Sequence, residues 1–504
     1  MSRPLSSLTR RELLRRAGAL GLTGPAAALG LNLAAMGQAS AAGAGDYKAL
    51  VCVFLTGGND ALNTVLTTDA TTWGHYSAAR GTTSLGIALA APGTPAAAGS
   101  LNARLGGALP ITPATTSDGR PVALHPCLGA VRDLFEGGRL AVLANVGPLV
   151  GPTTKAAYLA RQAALPAKLF SHNDQQAMWQ SFAPEGGTRG WGGQFADALL
   201  SQNRNAMFGA MSLSGNAVWL AGQTAQPYQM APEGAVRIGG ASGQVYGSTA
   251  VQQKMQALMR TARNNSVLER DHARIVGRSI EAETLLASAL PGVTAGPWGS
   301  NATPSADPLL QFRDPTNNSL QFNPLAHQLQ GVARSIAART SLGMNRQVFF
   351  VTLGGFDTHD DQVNRQAVLL AQLNQALKYF DTTLQSMGVD DSVTTFTASD
   401  FGRTLASNGD GTDHGWGGHH FILGGAVRGG ELYGRLPQLG PNTGGSAFDS
   451  PDLLNSGLLL PSTSVDQYAA TLGRWLGLSD STLLGLLPGL RNWNTSVRNL
   501  GFLA

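Results

Sequence analysis

Unbroken apolar runs set the first expectation for this chain. Residues 49–56 (ALVCVFLT), 140–146, 347–353 (QVFFVTL) and 393–399 are short, rich in β-forming residues and end at glycine or acidic positions. A strand covered on both faces has this pattern, because a parallel sheet between helical layers shows neither side to water. Residues 206–215 (AMFGAMSLSG) predict one more strand. Apolar residues at helical spacing predict an amphipathic segment over 125–135, one or two helices over 251–290 with Gly277 as the break, and a helical region over 465–490. They also predict a helix over 323–339, with Asn323 as cap and Pro324 in the first turn. Between 362 and 387, Val363, Leu369, Leu370, Leu373, Leu377, Phe380 and Leu384 recur at helical intervals. The order strand, helix, strand from 347 to 399 is a right-handed crossover unit. The expected class is α/β, with a mostly parallel central sheet and helices on both faces. Residues 68–118 and 291–321 lack periodicity and are expected as loops, the first as surface decoration. No repeat or linker divides the chain, so residues 42–504 are expected to form a single domain with a polar insertion near 216–322.

Three of the buried runs end in acids: Gly57-Gly58-Asn59-Asp60, Gly354-Gly355-Phe356-Asp357 and Asp400. Ligands of open α/β sheets bind beyond the carboxyl ends of the strands, so these acids are expected to converge on one crest. Residues 400–420 (DFGRTLASNGDGTDHGWGGHH) add three of the nine histidines. Carboxylates crowded in a cleft repel one another, and a shared proton, a basic partner or a cation relieves them. Imidazoles mixed with carboxylates suit zinc or manganese, and an oxygen-dominated subset suits magnesium or calcium. Each residue also has a plainer role. Asp60 would serve as a helix cap, His359 as a turn histidine, and Asp360 as a bystander. His419 and His420 point to opposite faces if they begin a strand, so one of the two is the ligand. Arg403 either clamps an anionic substrate or neutralises Asp400, the simpler role. His75, His125, His272 and His327 have no ligand-like company and are expected to be structural.

The segments GGNDALNTV (57–65), SHNDQQAMWQS (171–181), GGFDTHDDQ (354–362), and DFGRT followed by DHGWGGHH resemble an exported, uncharacterised family, domain of unknown function 1501. That family is grouped with the alkaline phosphatase and sulfatase superfamily, and the resemblance covers nearly all of the chain after the leader. It implies an alkaline-phosphatase-like fold, a centre of two divalent ions and transfer of phosphoryl or sulfuryl groups. By resemblance, Asp60 is the acid ending the first strand, with Asn59 beside it at the substrate, and Asp413-His414 is an Asp-His metal pair. His419 or His420 resembles the later histidine ligand, and Asp400 joins the metal set. Asp357, His359 and Asp361 fall in the region of the other metal, with Asp-x-His spacing where the superfamily has Asp-x-x-x-His. The superfamily's nucleophile opens a helix after the second strand. Thr153 or Thr154 in PLVGPTTK fits that place, where amide donors and the helix dipole favour an anion. Ser171 beside His172 is the other candidate.

The first residues, with Thr9-Arg10-Arg11 ahead of an Ala/Gly/Leu stretch and Ala39-Ser40-Ala41, predict a twin-arginine signal peptide over 1–41. Export by the twin-arginine translocase to the periplasm or outside follows, with no transmembrane anchor. The net charge of +4 then belongs to the leader. Removing its five arginines and one glutamate from 35 basic and 31 acidic residues leaves 30 of each. A nucleic-acid or membrane-surface partner therefore has no support from overall charge. Cys52 and Cys127 form no disulfide framework and are expected as small buried residues. Gly-x-Ser-x-Gly, His-Glu-x-x-His, Walker and Gly-x-Gly-x-x-Gly patterns are absent from the sequence. The expected function is metal-dependent hydrolysis of a phosphate or sulfate ester, small or polymeric. The alternative is a non-catalytic exported binding or structural protein on the same fold.

Overall fold

The central sheet of the computed structural model grows outward from the first apolar run. Residues 47–504 are described, except 82–85, 116–118, 241–242 and 264–265; the expected leader, 1–41, lies outside them. The principal strands are β1 (Lys48–Thr56), β2 (Leu140–Gly147), β3 (Ala210–Ser212), β4 (Tyr228–Ala231), β5 (Arg346–Gly354), β6 (Val393–Ser399), β7 (Gly418–Leu423) and β8 (Leu432–Gly434). Their order is β8–β2–β7–β6–β1–β5–β3–β4; Gly234–Ala235 lies beyond β4, and Thr463–Ser464 also pairs with β2. β6, β1, β5, β3 and β4 run parallel, and β8 runs parallel to β2. β7 is antiparallel to both β6 and β2.

β1 lies at the centre, with Cys52 level with Phe350 on β5 and Phe396 on β6. Its burial is continuous from Ala49 to Leu55, as a strand covered on both faces requires. Leu50, Cys52 and Phe54 share one core with Trp191, Trp219, Tyr468 and Trp475, while Val51, Val53 and Leu55 point to the opposite layer and are equally buried. Fully burying such side chains stabilises the fold by about 1.5–3 kcal/mol each. Cys52 and Cys127 are free thiols.

The helices that matter below are α1 (Ala70–Arg80), α2 (His172–Ser181), α3 (Thr249–Met259), α4 (Val267–Ala289), α5 (Pro324–Ala337), α6 (Gln362–Ser386) and α7 (Val465–Leu476). α5 begins as expected: the Asn323 side chain accepts from the amides of Leu325 and Ala326, and Pro324 fills the first turn. Between α3 and α4 the helical path breaks before Val267, whereas Gly277 lies inside α4. Tertiary seating of α4 through Ala273, Ile280 and Leu286 holds that glycine in the helix despite its propensity cost. Two expected loops contain structure. α1 lies within 68–118, capped by Asp69, and the hairpin Gln311–Arg313/Leu320–Phe322 fills the end of 291–321 and runs one residue past it. Among the described residues, no helix is long and apolar enough to cross a membrane.

Candidate metal centre at the sheet crest

β6, β1 and β5 end side by side, and two glycines let their extensions close on one another. Gly57 takes φ +116° and Gly58 φ +86°. A Cβ on Gly57 would sit 2.4 Å from the Asp357 amide nitrogen, and one on Gly58 would sit 2.4 Å from the Phe401 ring. The Gly57 amide donates to Asp400 Oδ2 at 3.1 Å, and its carbonyl accepts from Arg403 Nη1 at 3.1 Å.

Asp357 is the hub of the resulting cluster. Its Oδ1 accepts from Arg403 Nη1 at 2.9 Å, and lies 3.0 Å from His359 Nε2 and 3.4 Å from His414 Nε2. Its Oδ2 lies 3.4 Å from His172 Nε2. His172 opens α2 and turns its Nδ1 to Asp400 Oδ2 at 2.7 Å; Gln176, one turn along the same helix, donates to that oxygen at 2.9 Å. His414 turns its Nδ1 to the Phe170 carbonyl at 2.9 Å. A carboxylate and a carbonyl are acceptors, so both rings carry a proton on Nδ1 and direct Nε2 at Asp357. The Phe401 ring packs against both, with centroids 4.8 Å from His172 and 4.7 Å from His414. His359 Nε2 is 3.0 Å from His414 Nε2, and its Nδ1 is 3.4 Å from Asp413 Oδ1.

The electrostatics follow from these contacts. Burial alone would raise the Asp357 carboxyl, but the Arg403 guanidinium outweighs it and, with His172 and His359, holds the group below the ordinary carboxylate range. The Asp400 hydrogen bond raises the His172 pKa above that of a free imidazole, whereas burial lowers that of His414. Without a cation, His172 therefore keeps a proton on Nε2 to higher pH, facing Asp357.

A cation would replace that proton. The ligand atoms of His172, Asp357 and His414 all lie within 4.8 Å of one another, and His172 Nε2 is buried without a hydrogen-bond partner. Two imidazole nitrogens with backed Nδ1 atoms, a third imidazole at the open side and a carboxylate make a donor set that fits zinc or manganese. Exposure grades outward across the cluster, from His172 and His414, about one quarter exposed, to Asp357 and His359, each over two fifths.

The structure brings His172, Asp357, His359 and His414 together, with Asp400, Arg403 and Asp413 touching them. His172, expected as a catalytic partner of Ser171, is in the position of a ligand. Asp400 stands behind His172, with Oδ1 buried and unpartnered. Arg403 neutralises Asp357 rather than Asp400, and spends its other donors on Thr412 and the Gly57 carbonyl.

The other expected residues are placed elsewhere. Asp60 turns away from the cluster into a buried ion pair with Arg80 and also accepts from Gln362 and the Leu62 amide. Asn59 is buried against Thr64 and Gln366. Asp361 lies at the start of α6 in the left-handed region, hydrogen-bonded to Asn364. His419 and His420 sit within β7 and point into the core: His419 Nδ1 accepts from the Asn145 amide, and His420 packs between Trp179 and Tyr468. Burial pushes these rings down to about 4 and about 3, so both are neutral. Thr154 caps residues Lys155–Leu159, Thr153 donates to the Gly151 carbonyl, and both line a cavity of about 560 Å³ with Arg435, Asp452 and Ser462. Ser171 donates to Asp174.

Sequence reasoning missed Arg80, Gln176 and Gln362. Arg80 lies in the stretch expected as decoration, although Asp69 before α1 and Gly81 after it are recognisable start and stop signals.

Solved structures with detectable likeness include a sulfatase of Bacteroides thetaiotaomicron from a core genetic locus for metabolism of multiple glycosaminoglycans. It is 12% identical over 87% of this chain and 74% of its own, with a TM-score of 0.30. Ps i-CgsB is 12% identical over 73% and 71% of the two chains, with a TM-score of 0.29. Its complex with k-i-k-neocarrahexaose is 11% identical over the same shares, with a TM-score of 0.27. No curated protein matches the sequence. Residues 47–485 match the family model described as protein of unknown function (DUF1501), and the chain belongs to that family.

Proposed function

We propose that this protein is a metal-dependent hydrolase of phosphate or sulfate esters, working at the crest cluster with water as the nucleophile. The observation that carries the reading is the convergence of His172 Nε2 and His414 Nε2 on Asp357, each ring held from behind through its Nδ1. His172, Asp357 and His414 would hold the ion, with His359 at the open side. A divalent ion there would polarise an ester oxygen and lower the pKa of water. Asp400 and the Phe170 carbonyl fix the two imidazoles, and Arg403 fixes Asp357. His359, backed by Asp413, is the group on the solvent side suited to moving a proton. Water is favoured over a side-chain nucleophile because the Thr154 hydroxyl caps a helix at a separate cavity and the Ser171 hydroxyl is committed to Asp174. Twin-arginine export and a periplasmic or extracellular location belong to the same proposal, on the strength of the leader-like residues 1–41.

One observation favours a second reading, a non-catalytic binding protein: Arg403 directs Nε, Nη1 and Nη2 inward, away from any anionic substrate. Elemental mass spectrometry of protein purified without chelators, beside His172→Ala and His414→Ala, tests the proposal. Bound divalent metal that is lost in folded variants, with turnover of chromogenic phosphate or sulfate esters, is the expected result. No stoichiometric metal after reconstitution with zinc, manganese, magnesium and calcium would establish the second reading instead.

A further inference from the structure

Backbone strain gathers around the crest cluster. Among the described residues, nine other than glycine take a positive φ, and three of them, Lys168, Phe170 and Asp361, stand within four residues of a cluster histidine. Phe170 has the largest of these angles, +74°, in a region where a bulky side chain crowds the backbone. Such a conformation persists only where its surroundings over-determine it, and two anchors do so here. The Phe170 ring packs against the apolar cluster of Leu149, Trp416, Leu454, Leu460 and Trp493. Gln175, buried in the first turn of α2, donates from Nε2 to the carbonyls of Ala167 and Lys168, each at 3.3 Å, and ties the strained turn to the helix it enters.

The same turn serves two histidines. The Phe170 carbonyl accepts from His414 Nδ1 at 2.9 Å, and His172 follows Phe170 by two residues at the head of α2. The two imidazoles meet edge to face, with centroids 4.3 Å apart. Peptide units are planar, so φ and ψ turn each one as a whole. Moving Phe170 to an extended or right-handed conformation would swing its carbonyl off His414, or else carry α2 and His172 away from Asp357.

We propose that Phe170 is a positioning residue for the metal centre: its left-handed backbone sets the spacing of His172 and His414 and fixes the His414 tautomer. The inference rests on the reading that the crest cluster holds a divalent ion. With Nδ1 committed to the carbonyl, His414 presents the Nε2 lone pair on the side of Asp357.

Three substitutions separate this role from simple packing, because the two roles order them oppositely. Phe170→Gly takes the left-handed backbone at no steric cost and Phe170→Asn tolerates it, whereas the branched side chain of Phe170→Val does not. Packing alone would leave Phe170→Val the least impaired and Phe170→Gly the most, since the first keeps more apolar contact and a stiffer unfolded chain. Competition titration should show the reverse: a metal dissociation constant near the parent's in Phe170→Gly and Phe170→Asn, and one about 10–100-fold higher in Phe170→Val. Nitrogen chemical shifts of the metal-free protein at about pH 8, where the His414 ring is neutral, give a second readout. The Nδ1–H tautomer should persist in the parent, Phe170→Gly and Phe170→Asn, and give way toward Nε2–H in Phe170→Val. Metal binding as tight in Phe170→Val as in Phe170→Gly, or an unchanged His414 tautomer in Phe170→Val, overturns the proposal. A parent that binds no metal but shows the expected tautomer order removes the metal reading and leaves Phe170 setting the imidazole.

Discussion

Replacing Arg80 with methionine isolates the question of what Asp60 does. Both charged side chains are fully buried, and methionine keeps much of the arginine stem's volume. Arg80 donates through both Nη atoms to Asp60, at 3.0 Å for Nη2, and also serves the carbonyls of Thr404 at 2.9 Å and Leu405 at 3.2 Å. After the substitution, Asp60 keeps Gln362 Nε2 at 2.6 Å and the Leu62 amide at 3.1 Å but loses its counter-charge. Removing one partner of a buried pair costs about 3–5 kcal/mol, mostly the penalty of the stranded charge. Arg80→Met/Asp60→Asn removes that charge as well and should recover most of the loss, leaving about 1–2 kcal/mol from unpaired polar groups. Urea denaturation at pH 7 reads both as shifts in midpoint at constant slope. Metal content, measured on the same samples, should match the parent in the double variant, because Asp60 faces Arg80 and not the cluster. A loss below about 1 kcal/mol in Arg80→Met, the range of an exposed pair, would refute the energetic argument. A folded double variant without metal would make Asp60 a ligand after all.

Three further outcomes follow from the same geometry. Gly57→Ala would drive a methyl group into the Asp357 amide at a positive φ, so Asp357 should be displaced and metal retention should fall more than melting temperature does. Asp400→Asn weakens the group that orients His172; a 10–100-fold rise in the metal dissociation constant is expected by competition titration, and unchanged affinity would contradict a backing role. His420 is held neutral in the folded chain down to about 3, while the unfolded ring titrates near 6.5, so its contribution is complete above about pH 6.5 and declines as pH falls toward 3. His420→Phe, which suits the pocket between Trp179 and Tyr468, should flatten the stability profile between pH 6 and 4 by up to about 1.4 kcal/mol per pH unit. Parallel profiles from denaturation midpoints would count against it.

The sheet centre was legible because β1, β5 and β6 carry no charge after their first residue and are rich in β-branched and aromatic residues, a pattern with few other readings. The crest acids were legible in position but not in direction. Asp60 follows its strand by four residues, enough for the chain to bend toward α1, and no local signal announced that Arg80 waits there. His419 and His420 were misleading for the opposite reason. Their nearness in sequence to His414 suggests a shared site, yet β7 begins at Gly418 and carries both rings into the sheet's interior. His172 was visible as a candidate, but its partners Asp357, Asp400 and His414 lie far along the chain, and only their strand ends fix that meeting.

The reversed direction of β7 has a consequence for how this cluster can change over evolutionary time. Since β6 climbs to the crest and β7 descends from it, the segment 400–417 leaves and re-enters the sheet at the same rim. It needs no crossover helix, and its ends stay fixed whatever its length. Closing such a loop costs only about 0.6 kcal/mol more for each doubling of its length. The exposed tip at Asn408 and Gly409 is thus free to lengthen, while Asp410, whose carbonyl accepts from the Gln362 amide, and Arg403 and His414, paired across the hairpin, remain in register. New specificity could arise there by insertion without disturbing the strands that hold the cluster.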